Sequence, residues 1–322
     1  MKKPIIALAP MADVTDAAFR RMIARYSRPF GPDVFWTEFV SADGLVRADQ
    51  AGKQKLLKDL EYAESERPIV AQLFSGKPEM MREAAKMVLD LGFDGLDVNM
   101  GCPDRSIEKQ GAGAALCRDP KRALEMLRAA RQGVEDKIPI SAKIRLGYNK
   151  DELDTLLPEL LREEPATIII HLRTRKEMSR VPAHWDRLRD AVAIRDELKS
   201  QTLIIGNGDM VDLTEARQKT IETGSDGVML GQAIFGNPWL FNERLNFGKD
   251  VSLRQKLQVL VEHTNLFAEL LPHKSFSIMK KHYKAYVSGW DGAKELRAKL
   301  METSNAMEVE KLVQDFLSTS KF

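Results

Sequence analysis

Short apolar runs alternate with stretches of helical periodicity along most of the chain. Each run is too short for a helix and is bounded by Gly, Pro or Asp, which is typical of buried strands. The eight runs are Ile5–Ala9, Asp33–Thr37, Ile69–Phe74, Gly95–Val98, Ile140–Ile144, Thr167–Ile170, Thr202–Ile205 and Gly227–Leu230. Helical spacing fills the segments between them, for example Glu79–Leu91, Arg122–Arg131 and Leu213–Thr223.

Strands that alternate with helices pair in parallel through right-handed crossovers. Eight such units that end near residue 245 favour a closed barrel over a doubly wound sheet, so we predict an α/β fold of the (β/α)₈ TIM-barrel type. The second run is the weakest of the eight, because its strongly apolar part is only Val34-Phe35-Trp36.

The pattern changes after residue 245, where apolar residues recur at helical intervals up to the end of the chain. Ser252 is a suitable N-cap for a helix that contains Leu253, Leu257, Leu260, Phe267 and Leu271. Further helices are predicted over Phe276–Tyr286, Lys294–Met301 and Ala306–Leu317. We therefore predict two domains, a TIM barrel over residues 1–245 and a small helical bundle over residues 246–322.

Chemically distinct polar residues follow nearly every predicted strand. They are Pro10-Met11, Glu38, Gln72, Asn99 to Cys102, Lys143 with Arg145, His171 with Arg173 and Arg175, Asn207-Gly208-Asp209, and Gly231-Gln232. In a TIM barrel the carboxyl ends of all strands converge on one face, where the active site lies. The sequence therefore predicts an active site built from these residues.

Two glycine-rich segments, Gly206–Asp209 and Gly231–Gly236, follow the seventh and eighth strands. Tight turns need glycine anyway, so either segment alone is a weak signal. Together, at the position where barrels often bind a phosphate group, they predict a phosphate site. The run Gly111-Ala112-Gly113-Ala114 lacks the glycine spacing of a dinucleotide-binding loop.

Lys and Arg total 49 against 47 Asp and Glu, a net charge of +2, so a nucleic-acid surface must be a local patch. The richest patch, residues 273–299, has seven basic and two acidic residues, interleaved with Phe276, Tyr283, Tyr286 and Trp290. Such a run is commonly a solvated helix face, but it can also grip a phosphate backbone and stack bases. Both interpretations remain open.

The two cysteines, Cys102 and Cys117, cannot form a disulfide framework, and no apolar run approaches the ~18 residues that span a bilayer. We therefore expect a cytoplasmic protein that does not insert into a membrane. We also expect a monomer and no bound metal.

Taken in order, the motifs resemble those of the tRNA-dihydrouridine synthase family along the whole chain. The matching segments are Ala9-Pro10-Met11 with Val14-Thr15-Asp16, Ala71-Gln72-Leu73, Asp97 to Pro103, Gly111 to Leu116, Lys143 to Gly147, His171 with Arg173-Thr174-Arg175, Asn207-Gly208-Asp209, Gly236 to Trp239, and Met279 to His282. The resemblance implies an FMN-containing barrel and a helical tail that binds tRNA. It also implies NADPH- or NADH-driven reduction of the C5–C6 double bond of selected uridines.

The resemblance makes Cys102 the acid that protonates uracil C5, and a thiol with a pKa near ~8.5 is mostly protonated at neutral pH. The implied cofactor contacts are Pro10, Met11, Ala12, Gln72, Lys143, His171, Asn207, Gly208, Asp209, Gly231 and Gln232. The implied substrate contacts are Asn99, Arg145, Arg173, Arg175, Lys280, Lys281 and His282. Substrate positioning is the alternative for His171, and structural salt bridges are the alternative for the three arginines.

Two positions depart from the pattern usual in the family. Gln232 stands where an arginine is usual, so this chain has no positive charge there on the phosphate. Asp13 stands where a glycine is common and adds a negative charge near the mouth of the barrel.

Two functions from other classes compete with this interpretation. An FMN barrel that oxidises or reduces a small pyrimidine-like molecule, as in dihydroorotate-type dehydrogenases, explains the barrel but not the basic tail. A non-catalytic tRNA-binding factor explains the tail but leaves Cys102, Lys143 and Gln72 without a purpose. Binding of tRNA tests the first alternative, and flavin colour tests the second.

Overall fold

The computed structural model describes residues 3–319, and eight parallel strands form one sheet within that range. The strands are β1 Ile5–Leu8, β2 Phe35–Ser41, β3 Ile69–Phe74, β4 Gly95–Asn99, β5 Ile140–Arg145, β6 Thr167–His171, β7 Leu203–Asn207 and β8 Gly227–Leu230. Their order is β1-β8-β7-β6-β5-β4-β3-β2, and a parallel bridge between Ala7 and Val34 joins the two outer strands. The TIM barrel predicted from the sequence is confirmed.

The second strand lies further along the chain than the sequence indicates. The prediction is Asp33–Thr37, whereas β2 runs over Phe35–Ser41 and its register with β3 shifts between Trp36 and Phe39. Thr37 and Glu38 interrupt the apolar pattern at this irregularity, which is why the pattern does not reveal the second half of the strand.

Helices alternate with the strands around the barrel. They are α1 Ala17–Ser27, α2 Ala42–Arg47, α3 Gln50–Asp59, α4 Pro78–Asp90, α5 Arg105–Glu108, α6 Pro120–Gly133, α7 Leu153–Leu161, α8 Asp186–Glu197 and α9 Leu213–Thr223. Local capping explains several starts: Asp119 precedes Pro120 and accepts from the Arg122 N–H, and Asp212 accepts from the Glu215 N–H.

Apolar side chains fill the inside of the barrel as well as the layer between strands and helices. The inner cluster contains Ala7, Ala9, Trp36, Val70, Ile169, Ile205 and Met229, all of them buried. This packing closes the barrel interior, so a ligand can enter only at an end of the barrel.

The tail is helical, as predicted. Its helices are α10 Phe247–Asp250, α11 Leu253–Leu270, α12 Met279–Tyr286, α13 Ala293–Glu302 and α14 Ala306–Thr319. Ser252 caps α11 in a reciprocal pair with Gln255. The predicted helix Phe276–Tyr286 begins with a 3₁₀ turn, Phe276–Ile278, before α12.

The tail packs on the barrel, with α11 against α1, and one apolar core includes Phe19 of the barrel and Phe267 of the tail. A domain boundary near residue 245 therefore stays a prediction, and the outer ends of the two predicted domains, residues 1–2 and 320–322, lie outside the described residues. No helix within residues 3–319 is long and apolar enough to cross a membrane.

Candidate active site

One cavity opens at the carboxyl ends of the barrel strands, where the sequence predicts the active site. Among the residues that line it are Pro10, Met11, Gln72, Asn99, Cys102, Lys143, Arg145, His171, Arg173, Asn207, Gly208, Asp209, Gly231 and Gln232. These residues come from seven different strand ends, β1 and β3 to β8, and the fold brings them together at the mouth of the barrel.

Cys102 lies on a tight turn directly after β4. Asn99 holds this turn, because its Oδ1 accepts from the backbone N–H groups of Gly101 (3.1 Å) and Cys102 (2.9 Å). The Cys102 carbonyl accepts from the Ala114 N–H at 2.9 Å. Gly113 has a φ of +59°, and a Cβ there would lie 2.7 Å from that carbonyl oxygen, so only glycine fits beneath the turn.

The Cys102 thiol is half-buried and lines the cavity. Burial is the main reason that its pKa is raised above the ordinary thiol value, and it therefore stays protonated at neutral pH. Cys117 is buried away from the cavity, and its Sγ donates to the Met100 carbonyl at 3.4 Å. Burial raises the Cys117 pKa to about 11. The two cysteines thus have different environments.

Lys143 crosses the cavity floor from β5 towards β7. Its Nζ donates to Asn207 Oδ1 at 2.9 Å, and Asn207 Nδ2 donates to the Met229 carbonyl at 2.8 Å. Burial is the first cause that lowers the Lys143 pKa to about 8, and the nearby Arg145 charge is the second. Lys143 therefore stays mostly cationic at neutral pH but gives up its proton more easily than a surface lysine.

His171 lines the same cavity as an uncharged imidazole. Burial, followed by the charges of Lys143, Arg145 and Arg173, lowers its pKa to about 2. Its buried Nδ1 has no hydrogen-bond partner among residues 3–319. A buried polar atom without a partner costs free energy, so a ligand that pairs with this nitrogen would be favoured.

The three arginines differ in their surroundings. Arg173 is buried and forms an ion pair with Asp209, and Arg175 pairs with Glu108 at 2.6 Å. Arg145 donates from Nε to the Gly101 carbonyl at 2.8 Å. Arg145 and Arg173 line the cavity, whereas Arg175 lies outside its lining.

The loop after β7 brings its backbone close to the cavity. Gly208 has a φ of +139°, and a Cβ there would lie 2.8 Å from the Ala183 Cβ and 3.9 Å from Arg173 Nη1. Asp209 also has a positive φ, 57°. Beside this loop, a Cβ at Gly231 would lie 3.4 Å from Met11 Sδ, so the loops after β7, β8 and β1 meet at one side of the cavity.

Besides Arg175, four of the predicted site residues lie away from the cavity lining. Ala12 is exposed in the first loop, Lys280 is partly buried on α12, and Lys281 is exposed beside it. Lys281 Nζ lies 3.9 Å from Asp13 Oδ2. The fourth residue, His282, requires a correction.

His282 is completely buried, so its prediction as a tRNA contact is wrong in this conformation. Its ring lies 4.9 Å from that of Phe19 and 4.6 Å from that of His263, measured between centroids. Tyr283 and Tyr286 are likewise buried in the tail core and cannot stack bases. The helical period of these residues points them inward, while the lysines between them point outward.

A second set of polar contacts joins the tail to the barrel. Lys274 Nζ lies 2.6 Å from Glu38 Oε2 and 3.3 Å from Asp59 Oδ1. Glu38 lies within the irregularity of β2 and bonds to Lys274 of the tail, and it does not line the cavity. The polar residue predicted at this strand end therefore serves the contact between barrel and tail.

Sequence reasoning missed some residues at the mouth. Phe39 lines the cavity, but the predicted second strand ends before it. Ser179 and Met210 also line the cavity from loops that carry no periodic signal. Asp97 is part of a shared motif, yet nothing in the sequence indicates that its carboxylate is buried beneath the Cys102 turn.

Solved structures with a similar fold include a histamine dehydrogenase from Rhizobium sp. 4-9 and a 2-naphthoyl-CoA reductase. The TM-scores are 0.54 and 0.56, each at 12% sequence identity, over 81% and 74% of this chain. The matched region spans only 49% of each of those chains. At this identity the likeness establishes the barrel fold alone.

Sequence relatives match over nearly the whole chain. A "Probable tRNA-dihydrouridine synthase 2" of Bacillus subtilis is 37% identical over 98% of this chain and 95% of the relative. A "Probable tRNA-dihydrouridine synthase" of Staphylococcus epidermidis is 36% identical over 98% of this chain and 94% of the relative. The family model described as Dihydrouridine synthase (Dus) matches residues 7–321. The chain belongs to the dihydrouridine synthase family.

Proposed function

We propose that this protein is a tRNA-dihydrouridine synthase. It reduces the C5–C6 double bond of specific uridines in tRNA to 5,6-dihydrouridine, with FMN as its cofactor and NADPH or NADH as the reductant. The observation that carries the proposal is one cavity that collects Cys102, Lys143 and the two glycine loops, in a chain whose full-length relatives are named tRNA-dihydrouridine synthases.

The cavity residues fit a flavin mononucleotide. Lys143 supplies positive charge, and the unpaired Nδ1 of His171 supplies a polar partner for a ring atom. Positive charge beside a flavin ring stabilises its anionic reduced form, and the bound cofactor, when reduced, is the source of hydride for uracil C6. Pro10, Met11 and Gln72 complete the proposed ring contacts, whereas Ala12 is exposed outside the cavity lining and is not one of them.

The loops after β7 and β8 are the proposed phosphate site. It contains Asn207, Gly208, Asp209, Gly231 and Gln232, whose backbone can approach an anion closely. Gln232 brings no charge, but Arg173 lies against the same loop in its ion pair with Asp209. We therefore move Arg173 from the predicted RNA contacts to the phosphate end of the cofactor.

Cys102 is the proposed proton donor to uracil C5. Its raised pKa keeps the proton on Sγ until the base arrives, and the Asn99 contacts hold the turn in place. Arg145 also holds this turn, through its hydrogen bond to the Gly101 carbonyl. A positioned acid of this kind contributes typically ~10²–10⁴-fold to a rate.

The target base must leave its stack to reach the Cys102 thiol in the cavity, so unpaired loops of tRNA are the expected substrate. Lys280 and Lys281 on α12 are the proposed phosphate contacts, together with Arg175 at the rim. The barrel over residues 1–245 then provides the chemistry and residues 246–322 the RNA surface, in a protein that acts as a monomer without a metal.

The proposal is tested by mapping dihydrouridine in tRNA from a deletion strain, before and after complementation. We expect one or more positions to lose dihydrouridine and to regain it with this gene. The purified protein should be yellow and should release FMN on denaturation. A yellow protein whose loss leaves tRNA unchanged would favour the small-molecule dehydrogenase, and a protein that takes up no flavin would favour the non-catalytic factor.

A further inference from the structure

Three buried side chains form a hydrogen-bonded chain beneath the Cys102 turn. Gln72 Nε2 donates to Asp97 Oδ2 at 2.6 Å, and Asn99 Nδ2 donates to Gln72 Oε1 at 3.0 Å. Asn99 Oδ1 then accepts from the backbone N–H groups of Gly101 and Cys102. Asp97 and Gln72 are 0% exposed and Asn99 is 6% exposed, so water does not compete for these bonds.

The hydrogen-bonded chain ends at the Asp97 carboxylate on one side and at the backbone N–H groups of the turn on the other. These two ends determine how both amides are oriented. An ionised carboxylate only accepts, so Gln72 must turn its NH₂ group towards Asp97 and its oxygen towards Asn99. Asn99 must then turn its NH₂ group towards Gln72, which leaves its oxygen for the two backbone N–H groups. Reversal of either amide would place two donors or two acceptors against each other in a buried site.

The surroundings of Asp97 support an ionised carboxylate at neutral pH. Burial raises its pKa to about 6, while hydrogen bonds from Ser141 and Gln72 and the charge of Lys143 act in the opposite direction. Ser141 Oγ donates to Asp97 Oδ1 at 2.5 Å, so each carboxylate oxygen has a donor.

We propose that Asp97 is a positioning residue that fixes the Cys102 thiol through Gln72 and Asn99. The carboxylate sets the orientation of two amides in sequence, and the second amide holds the turn that carries the thiol. The effect on the turn is a property of the fold, and the effect on catalysis rests on the proposed function, in which Cys102 is the acid.

Exchanging the carboxylate at position 97 with the amide at position 99 tests the orientation of the amides directly. Asp97→Asn introduces a donor that can turn the Gln72 amide around, so that Asn99 presents its NH₂ group to the donors of the turn. Asn99→Asp alone leaves Gln72 between two carboxylates, with one NH₂ group to serve both. In the double variant the amide at 97 donates to Gln72, Gln72 donates to the carboxylate at 99, and that carboxylate accepts from the turn.

The first measurement is hydrogen exchange of the peptide spanning residues 100–104 in the flavin-loaded protein. Each single variant should exchange ~10-fold faster or more than wild type, because Asp97→Asn leaves the turn donors without an acceptor and Asn99→Asp places two buried acceptors against each other. The double variant should return to within roughly 3-fold of wild type. If Asp97→Asn does not fold, the comparison of Asn99→Asp with the double variant carries the test. A double variant that exchanges as fast as the single variants overturns the proposal.

The second measurement is steady-state turnover of tRNA by Asp97→Asn. A displaced acid should lower kcat by ~10-fold with little change in KM for tRNA, whereas a change confined to KM would contradict a positioning effect on Cys102. Asp94→Asn is the matched control. Its carboxylate accepts from Arg67 and the Ile69 N–H at the opposite end of the barrel, so both measurements should stay near wild type.

Different results contradict the positioning effect of Asp97 and the acid role of Cys102. If Cys102→Ala reduces tRNA at the wild-type rate, the acid assignment is wrong, yet the exchange pattern still measures whether Asp97 orders the turn. If the exchange pattern is absent while Cys102→Ala is inactive, Cys102 remains the acid and the hydrogen-bonded chain has no positioning effect.

Discussion

The mouth of the barrel and the contact between α1 and the tail both bury polar side chains, but they treat these groups in opposite ways. Beneath the mouth, Asp97, Gln72 and Asn99 pair with one another and with backbone groups. Against α1, both ring nitrogens of His282 and the Nε2 of His263 have no hydrogen-bond partner within residues 3–319. The hydrogen bonds of the first set fix the orientation of each amide, whereas the histidines of the second set pack as apolar side chains do.

The difference shows that a polar residue in a motif does not by itself indicate a site. His282 belongs to a segment shared with the family, but its ring packs edge-on against Phe19 and His263 and stacks on Phe235. Burial lowers the pKa of His282 to about 3, so the ring is neutral and fills space as an aromatic residue does. A buried polar group that opens onto a cavity is the better indication of chemistry.

The largest expected effect concerns the one thiol that the mouth exposes. Cys102→Ala should lower dihydrouridine formation by ~10²–10⁴-fold, because a positioned acid is lost, while NADPH should still bleach the flavin. Stopped-flow absorbance follows the flavin, and nucleoside analysis of tRNA follows the product. Cys102→Ser should recover little, since a hydroxyl is a much weaker acid than a thiol.

Cys117→Ala is the matched control and should react with tRNA at nearly the wild-type rate, because Cys117 is buried outside the cavity. Normal turnover by Cys102→Ala would assign the proton to another group. Failure of its bound flavin to be reduced would instead make Cys102 part of the flavin or nicotinamide site.

The next effect tests a buried ion pair between the barrel and the tail, Glu38 with Lys274. Lys274→Met should destabilise the protein by about 3 kcal/mol, because Glu38 is left buried without its cation. Denaturant unfolding monitored by circular dichroism measures the loss. Lys284→Met, at an exposed position on α12, should change the free energy of unfolding little. Equal stability of the two variants would mean that Glu38 takes up a proton at no cost.

The sequence predicts which residues meet at the mouth of the barrel better than it predicts where their side chains point. The alternation of strands and helices, and the position of polar residues after strands, are enough to place Cys102, Lys143 and Asn207 at one mouth. These predictions succeed because the barrel topology forces strand ends together. The glycine beneath the Cys102 turn is visible in the sequence, but its purpose becomes clear only from the positive φ of Gly113.

Side-chain direction is harder to predict. The sequence suggests that Asn99 faces the substrate, whereas both ends of its amide pair within the protein. It also suggests Glu38 at the mouth, whereas the irregularity in β2 turns it to Lys274. A shift of one position in a strand moves a side chain to the other face, and no local pattern in the sequence announces such a shift.

The unpaired histidines should make stability depend on pH. Because the folded pKa of His282 lies below its ordinary value of 6.5, the unfolded chain binds the proton more tightly. The folding stability that depends on a neutral His282 ring is therefore fully present above pH 6.5. It is lost as the pH falls towards about 3, at about 1.4 kcal/mol per pH unit. His282→Leu should flatten the dependence of unfolding free energy on pH between 6 and 5 by that amount. An unchanged slope would show that His282 finds a partner on protonation.

The smallest effect concerns Asp13, which replaces a glycine common in the family. Its φ of 53° lies in the region that glycine adopts freely, so Asp13→Gly should fold without strain. Asp13 and Lys281 are both about half exposed and 3.9 Å apart, so their pair contributes little stability. If Lys281 contacts tRNA as proposed, we expect this carboxylate to compete with an RNA phosphate for it.

Removing the Asp13 carboxylate in Asp13→Gly should raise tRNA affinity by roughly 2- to 5-fold at low salt and by less at high salt. Lys280→Ala with Lys281→Ala should lower the slope of log affinity against log salt by about one for each lysine that binds a phosphate, with flavin content unchanged. In a Lys281→Ala background, Asp13→Gly should lose most of its effect. Filter binding at several salt concentrations measures the affinity of each variant. An equal gain with and without Lys281 would show that Asp13 acts on the RNA directly, through its own charge at the mouth, and that the pair with Lys281 does not set the affinity.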